Sequence, residues 1–430
     1  MIEVYNIFFQ LIIFFIIFSF PINSRLLKNT NFIYYNVYEI FFMNFVIFST
    51  CGLFFSITNL NNNFLFYFFC IGGLTLFIIN FSENKKNFFN IFFSIFAVLL
   101  LLIFFQIAAY PILQWDGLAT WSIKMNNFYF SQNYTNLENI SYSHQPNLGP
   151  YLWALFFENS FLNYEYFGRF FYVFIFLSSI FSLKSNFDID KNYFFKSLLF
   201  IFIVYFAYDP YLFGGYQEYL IFSLLLFMSN FIYKILNLSK INIYQLIFFS
   251  LILNLILWSK QEGLIYIFIL QFIFILLKQP SNFQKLISTI LFFLIIFIKI
   301  KLSFNNLLDD PHFDFKNILN FEYGLLIYKI IFITKHILIS FIKYPIWLLI
   351  IPSYLFIFFN NQTDIKFLKI INIFGFLNIG LIYFVFLTTI SNFEWLVKVT
   401  LDRMVFQTTG FYIILILICL DKVFLNKKIN

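Results

Sequence analysis

Apolar runs of some 16 to 23 residues, broken by short polar stretches, repeat along almost the whole chain. The segment from Ala97 to Ile107 is typical: eleven residues without a charge. Neither the alternation of a half-buried strand nor the narrow stripe of a soluble amphipathic helix describes these runs, which are apolar on every face. A helix needs about 20 mainly apolar residues to cross a bilayer, and fewer where aromatic anchors flank it. By that measure spans are predicted near 6–23, 32–54, 64–81, 87–109, 166–183, 194–209, 217–236, 243–259, 262–277, 284–301, 344–360, 369–389 and 408–425. Two further stretches fit helices lying in the membrane interface better than spans. Tyr151 to Asn163 is too short to cross, and Gly324 to Ile342 carries Lys329, Lys335 and His336 within its apolar run.

Charge placement supports this division, because excess Lys and Arg mark cytoplasmic loops. With the N-terminus outside, the inner segments hold sixteen bases, among them Lys85, Lys86, Lys191, Lys240, Lys278, Lys427 and Lys428, against five acids. Counting both ambiguous helices as spans would move Asp209, Glu218 and the acidic 309–314 loop inside and spoil the pattern. The expectation is therefore one membrane domain, 1–430, of about thirteen helices. Two sizeable outer loops interrupt it, 110–165 and 302–343, and loops of that length are usually functional.

Composition then excludes whole classes. Hydrophobic residues make up 61%, aromatic residues 25% and charged residues only 11% of the 430 positions, where a soluble chain carries roughly a quarter charged. Soluble enzymes, disordered chains and fibres are set aside. The net charge of +7 is scattered rather than gathered into a stripe, so it argues for topology and not for nucleic acid. Cys51, Cys70 and Cys419 lie in apolar stretches and indicate neither a disulfide framework nor a metal cage. The first six residues hold an acid and no base, unlike a cleavable signal.

Candidate chemistry collects in the first outer loop, which reads Trp115-Asp116-Gly117-Leu118-Ala119-Thr120-Trp121-Ser122-Ile123-Lys124. Asp116 directly follows a span and so falls at the membrane–water boundary. Leu118, Trp121, Met125 and Phe128 are spaced to share one helical face, which predicts a helix docked on the bilayer. Two compatible readings exist for Asp116. It is a helix N-cap accepting from free amides, or a general base placed where a lipid headgroup meets a water-soluble acceptor. Trp115, Trp121, Tyr129, Tyr134 and Tyr142 suggest a headgroup-level aromatic belt, with one or two able to stack on a sugar. Asp309, Asp310, His312 and Asp314 look metal-like, but Pro311 bends the segment and a solvated acidic loop is the preferred reading.

These residues resemble the start of the first outer loop in GT-C glycosyltransferases, in particular bacterial relatives of protein mannosyltransferases and of the lipid A aminoarabinose transferase. Ser143-His144-Gln145-Pro146-Asn147-Leu148 is similar to that family's second loop stretch, although Gln145 and a missing Tyr depart from it. Gly214-Gly215-Tyr216-Gln217-Glu218 resembles a Gly-Tyr stretch with an acid at the start of another span. Trp258-Ser259-Lys260-Gln261-Glu262-Gly263 resembles a Lys-x-Glu-Gly turn. Thr400-Leu401-Asp402-Arg403, with Gln407, is similar to a Leu-Asp-Arg entering the final span.

The resemblance implies transfer of a sugar from a polyprenyl phosphate to an extracytoplasmic hydroxyl or amine, at the outer side of a bacterial inner membrane. Asp116 would be the base; Lys260, Arg403 and His144 would hold the donor phosphate. Trp115, Trp121, Lys124, Glu218 and Glu262 would line the substrate. No metal ligands are assigned, and a divalent cation is left open. Local readings compete: Lys260 and Glu262 as a pair capping a turn, Arg403 as an interfacial anchor, Glu218 as a solvated loop acid. A secondary transporter, for which Glu39 and Asn254 are the only polar positions of interest, and a lipid-linked glycan polymerase are the alternatives.

Overall fold

The computed structural model describes residues 2–22, 36–79, 90–131, 134, 137–138, 140, 143, 145–186, 193–303, 323–359, 365–389 and 392–426. They form an all-α protein that divides into two compact units, 1–223 and 224–430. Among the described residues, eight helices are long and apolar enough to cross a membrane: 37–58, 62–79, 91–109, 165–185, 218–236, 324–343, 365–387 and 393–423. The chain is a multi-pass membrane protein.

The helices of the first unit are α1 (Ile2–Ile17), α2 (Val37–Thr58), α3 (Asn62–Ile79), α4 (Ile91–Ala109), α5 (Ser122–Ser131), α6 (Leu148–Glu158), α7 (Glu165–Ser182) and α8 (Tyr193–Ala207), followed by the first turns of α9 (Glu218–Leu236). The central element is α7, buried from Tyr166 to Ser182. Its Phe174 ring meets Phe14 and Phe15 of α1, Phe18 just after it, Phe41 of α2 and Phe96 of α4, at centroid distances of 4.9–6.0 Å. Lipid tails are as apolar as Leu, so helices in a bilayer associate through packing rather than water exclusion. Ring-on-ring geometry adds about 0.5–1.5 kcal/mol per pair beyond buried area, and this explains how so Phe-rich a chain builds a specific core.

Polar side chains close the helix ends. Asn36 and Glu39 form a reciprocal capping box at the start of α2, and Asn36 also donates to the carbonyls of Phe181 and Ser182 at the end of α7. Glu39 is further tied to the Ser185 hydroxyl at 3.0 Å. Its burial has a structural cause, and the transporter reading loses one of its two polar positions.

The second unit continues from α9 with α10 (Ile243–Ser259), α11 (Gly263–Leu276), α12 (Asn282–Leu302), α13 (Tyr323–Lys343), α14 (Trp347–Phe359), α15 (Ile365–Leu387), α16 (Phe393–Tyr412) and α17 (Ile414–Asn426). Stacked rings again join helices, Phe249 on Phe274 and Phe374 on Phe411. Gln271 bridges α11 to Ser288 and Thr289 of α12.

Three differences from the predicted spans have physical reasons. Several predicted spans form apolar helices of only 10–17 residues, including 263–276 and 347–359; at 1.5 Å per residue, 14 residues reach about 21 Å, short of the ~30 Å hydrocarbon core. The predicted span at 284–301 is a 21-residue helix that carries Lys285 in its first turn and Lys299 and Lys301 in its last, charges that are expensive at membrane depth unless they reach an interface. Conversely 324–343, expected to lie in the interface, is one continuous helix that qualifies by length and composition.

Candidate functional site

Two of the sequence motifs meet in the first unit. The backbone N–H of Gln114 donates to the Gly214 carbonyl at 2.9 Å, bringing the segment leaving α4 against the turn that precedes α9. Gly117 faces Gly215 so closely that a Cβ on Gly215 would lie 3.0 Å from the Gly117 Cα, and one on Gly117 would collide with the Gly214 carbonyl. Gly215 also has φ +95°, in the left-handed region, so both demands select glycine. The Trp153 indole backs the contact, its Cη2 within 3.0 Å of that same Gly215 position.

A buried ion pair braces this junction. Arg169 of α7, 1% exposed, donates from Nη1 to the Phe213 carbonyl and from Nη2 to the Pro111 carbonyl, each at 3.0 Å. Its Nε lies 2.9 Å from Glu165 Oε1, and Nη2 donates to Glu165 Oε2 at 3.1 Å. One guanidinium thus fixes both segments through its planar fork, which Lys cannot imitate. Neither Arg169 nor Glu165 stood out in the sequence. The available signal was an acid–base pair four residues apart at the start of a predicted span, where ionisable groups are expensive.

Around the junction the predicted residues separate. Asp116 is half-buried, in helical conformation, and makes no side-chain cap to the turn that begins at Gly117; capping does not account for this acid. Glu218, at the first turn of α9, is fully buried, which overturns its reading as a solvated loop acid. The neighbouring Gln217 accepts from Tyr172 Oη at 2.9 Å. Asp116 and Glu218 therefore stand on touching segments.

The predicted docking face of the first loop is corrected. Residues Gly117–Trp121 form a π-helical turn, whose wider winding breaks the three-four spacing. Leu118 is left 60% exposed, while Trp121, Met125 and Phe128 turn into the protein, Phe128 packing edge-on against Tyr151 of α6. Trp115, 71% exposed, is the outer-loop tryptophan that faces outward. The belt reading also fails for Tyr134, which is buried with its phenol pushed above its usual range by loss of water, Asn147 opposing through a hydrogen bond. Tyr129 stacks on Phe157. The segment Tyr151 to Asn163 falls in and after α6, an 11-residue helix too short to cross, which is buried within the protein from Leu148 to Phe156. Burial likewise raises the Tyr151 phenol, with the charges of Glu158 and Cys51 adding to the effect.

Lys124 is fully buried and donates to the Gln145 carbonyl at 2.9 Å, its ammonium 5.7 Å from the centre of the Trp121 ring. It fastens α5 to the 145–147 segment. His144, Tyr142 and the 309–314 cluster lie outside the described residues.

The second unit carries the other predicted cations. Lys260 pairs with Glu262 at 3.7 Å across the α10–α11 turn, as expected for a local pair, whereas Glu262 makes no side-chain cap. Beside it the sequence reading missed Lys299, 2% exposed, whose ammonium sits 3.8 Å from the centre of the Trp258 ring. Lys299 has no carboxylate partner among the described residues. Arg403 donates from Nε to the Val399 carbonyl at 3.1 Å, and the adjacent Asp402 is paired with Lys343 of α13. Gln407 is fully buried and accepts from Tyr266 Oη at 3.4 Å. Among the described residues no group of three or more His, Cys, Asp or Glu is gathered as metal ligands.

Comparison with known families, with curated proteins and with solved structures finds no match.

Proposed function

We propose that the protein is a GT-C-like glycosyltransferase in a bacterial inner membrane, moving a sugar from a polyprenyl phosphate to an extracytoplasmic glycolipid, glycan or protein. The observation that carries this reading is the junction of residues 114–117 with 214–218. Two segments chosen from the sequence for their likeness to one family are in backbone contact, and each carries an acid. Arg169 braces both segments through the Phe213 and Pro111 carbonyls, so their acids are carried on a fixed backbone.

In this mechanism Asp116 takes the proton of the acceptor hydroxyl or amine as its oxygen or nitrogen attacks the anomeric carbon. The carbon–phosphate-oxygen bond breaks with inversion. The leaving lipid phosphate is a stable dianion and needs no proton, provided cations neutralise it. The resemblance assigns that task to Lys260, Arg403 and His144. The exposed Trp115 supplies a flat face for a sugar ring, and Lys124 and Trp121, both buried, act by holding the loop in shape. The resemblance also assigns Glu218 and Glu262 to the substrate side. A transporter or a glycan polymerase stands as the alternative; neither accounts for the paired motifs.

The test is mass spectrometry of surface glycolipids and glycans from cells with and without the gene. A hexose- or pentose-bearing species that depends on the gene supports the proposal. Identical profiles, together with substrate uptake that depends on the gene, would replace it by the transporter.

A further inference from the structure

The second unit contains a cavity of about 330 Å³ between helices α13 to α17 that no part of the sugar-transfer reading uses. Its described wall is uncharged and mainly apolar, with polar positions at Trp347, Tyr354, Asn372, Asn378, Thr408 and Tyr412, the Tyr412 hydroxyl lying close to Gly375. Asn372 and Asn378 fall in the middle part of α15, a 23-residue candidate span, where water is scarce and each unsatisfied polar group is costly. Asn378 spends its amide nitrogen on Thr408 Oγ1 at 3.3 Å, while its Oδ1 has no hydrogen-bond partner. The Trp347 indole N–H is also without one. Both residues are more than nine-tenths buried. Tyr354 donates to Asn372 Oδ1 at 2.8 Å, which orients the exposed Asn372 amide N–H groups along the wall. Ile351, Phe376 and Ile379, all exposed, form an apolar rim.

The missing partners define a chemistry. Asn378 Oδ1 calls for a donor, Trp347 Nε1 and the Asn372 amide call for acceptors, and no counter-ion is present for a charged head. We propose that the cavity binds the head of an uncharged glyceride, a diacylglycerol taken from the bilayer. Its free hydroxyl donates to Asn378, its ester carbonyls accept from Trp347 and Asn372, and its tails leave past Phe376 and Ile379 into the surrounding lipid. The Asn378 and Trp347 atoms are shielded from solvent, so the proposal includes a side-chain rotation that opens them to the cavity. A phospholipid presents the same tails but brings a charged phosphate that nothing on this wall neutralises. This site lies wholly within the second unit and stands whether or not the protein transfers sugars.

The experiment uses the full chain in phosphatidylcholine nanodiscs, a diacylglycerol carrying a tail diazirine, and peptide mapping after irradiation. Label should concentrate in 347–359 and 365–387 and be displaced by excess dioleoylglycerol. Asn378→Leu should lower it about fivefold, the equivalent of one net hydrogen bond. Asn372→Leu, at an exposed position that threatens folding least, should lower it as well. A phosphatidylcholine bearing the same tail should label the bundle evenly. Equal concentration by the phosphatidylcholine probe, failure of dioleoylglycerol to compete, or wild-type labelling of Asn372→Leu would each overturn the proposal.

Discussion

Gln114 donates its backbone N–H to the carbonyl of Gly214 at 2.9 Å, so the residue two places before Asp116 is bonded to the residue four places before Glu218. This single link turns two weak motifs, far apart in sequence, into one piece of structure. Both acids then inherit their positions from the backbone rather than from long flexible loops, which is what a site with defined geometry requires.

The close approach of Gly117 to Gly215 predicts a sharp contrast between glycines. Gly117→Ala must push the Gly214 carbonyl aside and should cost about 1–3 kcal/mol, as overpacking does. Gly324→Ala, where an added Cβ meets nothing within 4 Å, should unfold like the parent. Thermal unfolding of both purified variants, followed by tryptophan fluorescence, checks this; equal midpoints would mean the two segments are not in contact.

Arg169 should be the least replaceable residue of the first unit. Arg169→Met strands the partly exposed Glu165 carboxylate and two carbonyls, at a cost below the roughly 3–5 kcal/mol of a fully buried pair. The double variant Arg169→Met/Glu165→Leu should recover part of that loss, since no charge is left uncompensated. Denaturation of the four-member cycle gives the coupling directly, and strict additivity would remove the ion pair from the account.

Lys299 behaves oppositely if it serves the donor phosphate. Its ammonium lies over Trp258 with no carboxylate to strand, so Lys299→Met should still fold, losing about 2 kcal/mol at most from the cation–π contact. Polyprenyl phosphate binding, titrated through tryptophan fluorescence, should weaken severalfold. Unchanged affinity would assign Lys299 to packing alone.

The helix Tyr323–Lys343 decides the topology of everything after it. Charge asymmetry keeps it on one side, while its length permits crossing. Alkaline phosphatase fused after Lys301 and after Lys343 should be active in both fusions, as should a fusion after Asn139, and a fusion after Lys191 should be inactive. Opposite results for Lys301 and Lys343 would make α13 a span.

What the sequence revealed, and what it hid, follows from the range of each interaction. Apolar runs announce helices because burial in lipid is a property of a whole segment, so α2, α4, α7 and α15 were visible. Asp116, Gly117 and the Gly214–Glu218 turn stood out because polar and glycine residues are rare here. The π turn at 117–121 was not visible, since its extra winding follows from how tightly Gly117 packs on a distant backbone; the predicted face of Leu118 and Trp121 failed for that reason. Arg169 was lost inside a run read as a span, and Lys299 among other scattered lysines, because their partners are set by tertiary packing.

The most direct test of the central claim restores the gene to a deletion strain as wild type or as Asp116→Asn, and compares surface glycolipids and glycans by mass spectrometry at matched protein levels. A base that supplies about 10²–10⁴-fold in rate predicts that the wild type returns the sugar-bearing species and Asp116→Asn, equally abundant in the membrane, does not. Full return of that species by Asp116→Asn would contradict the account.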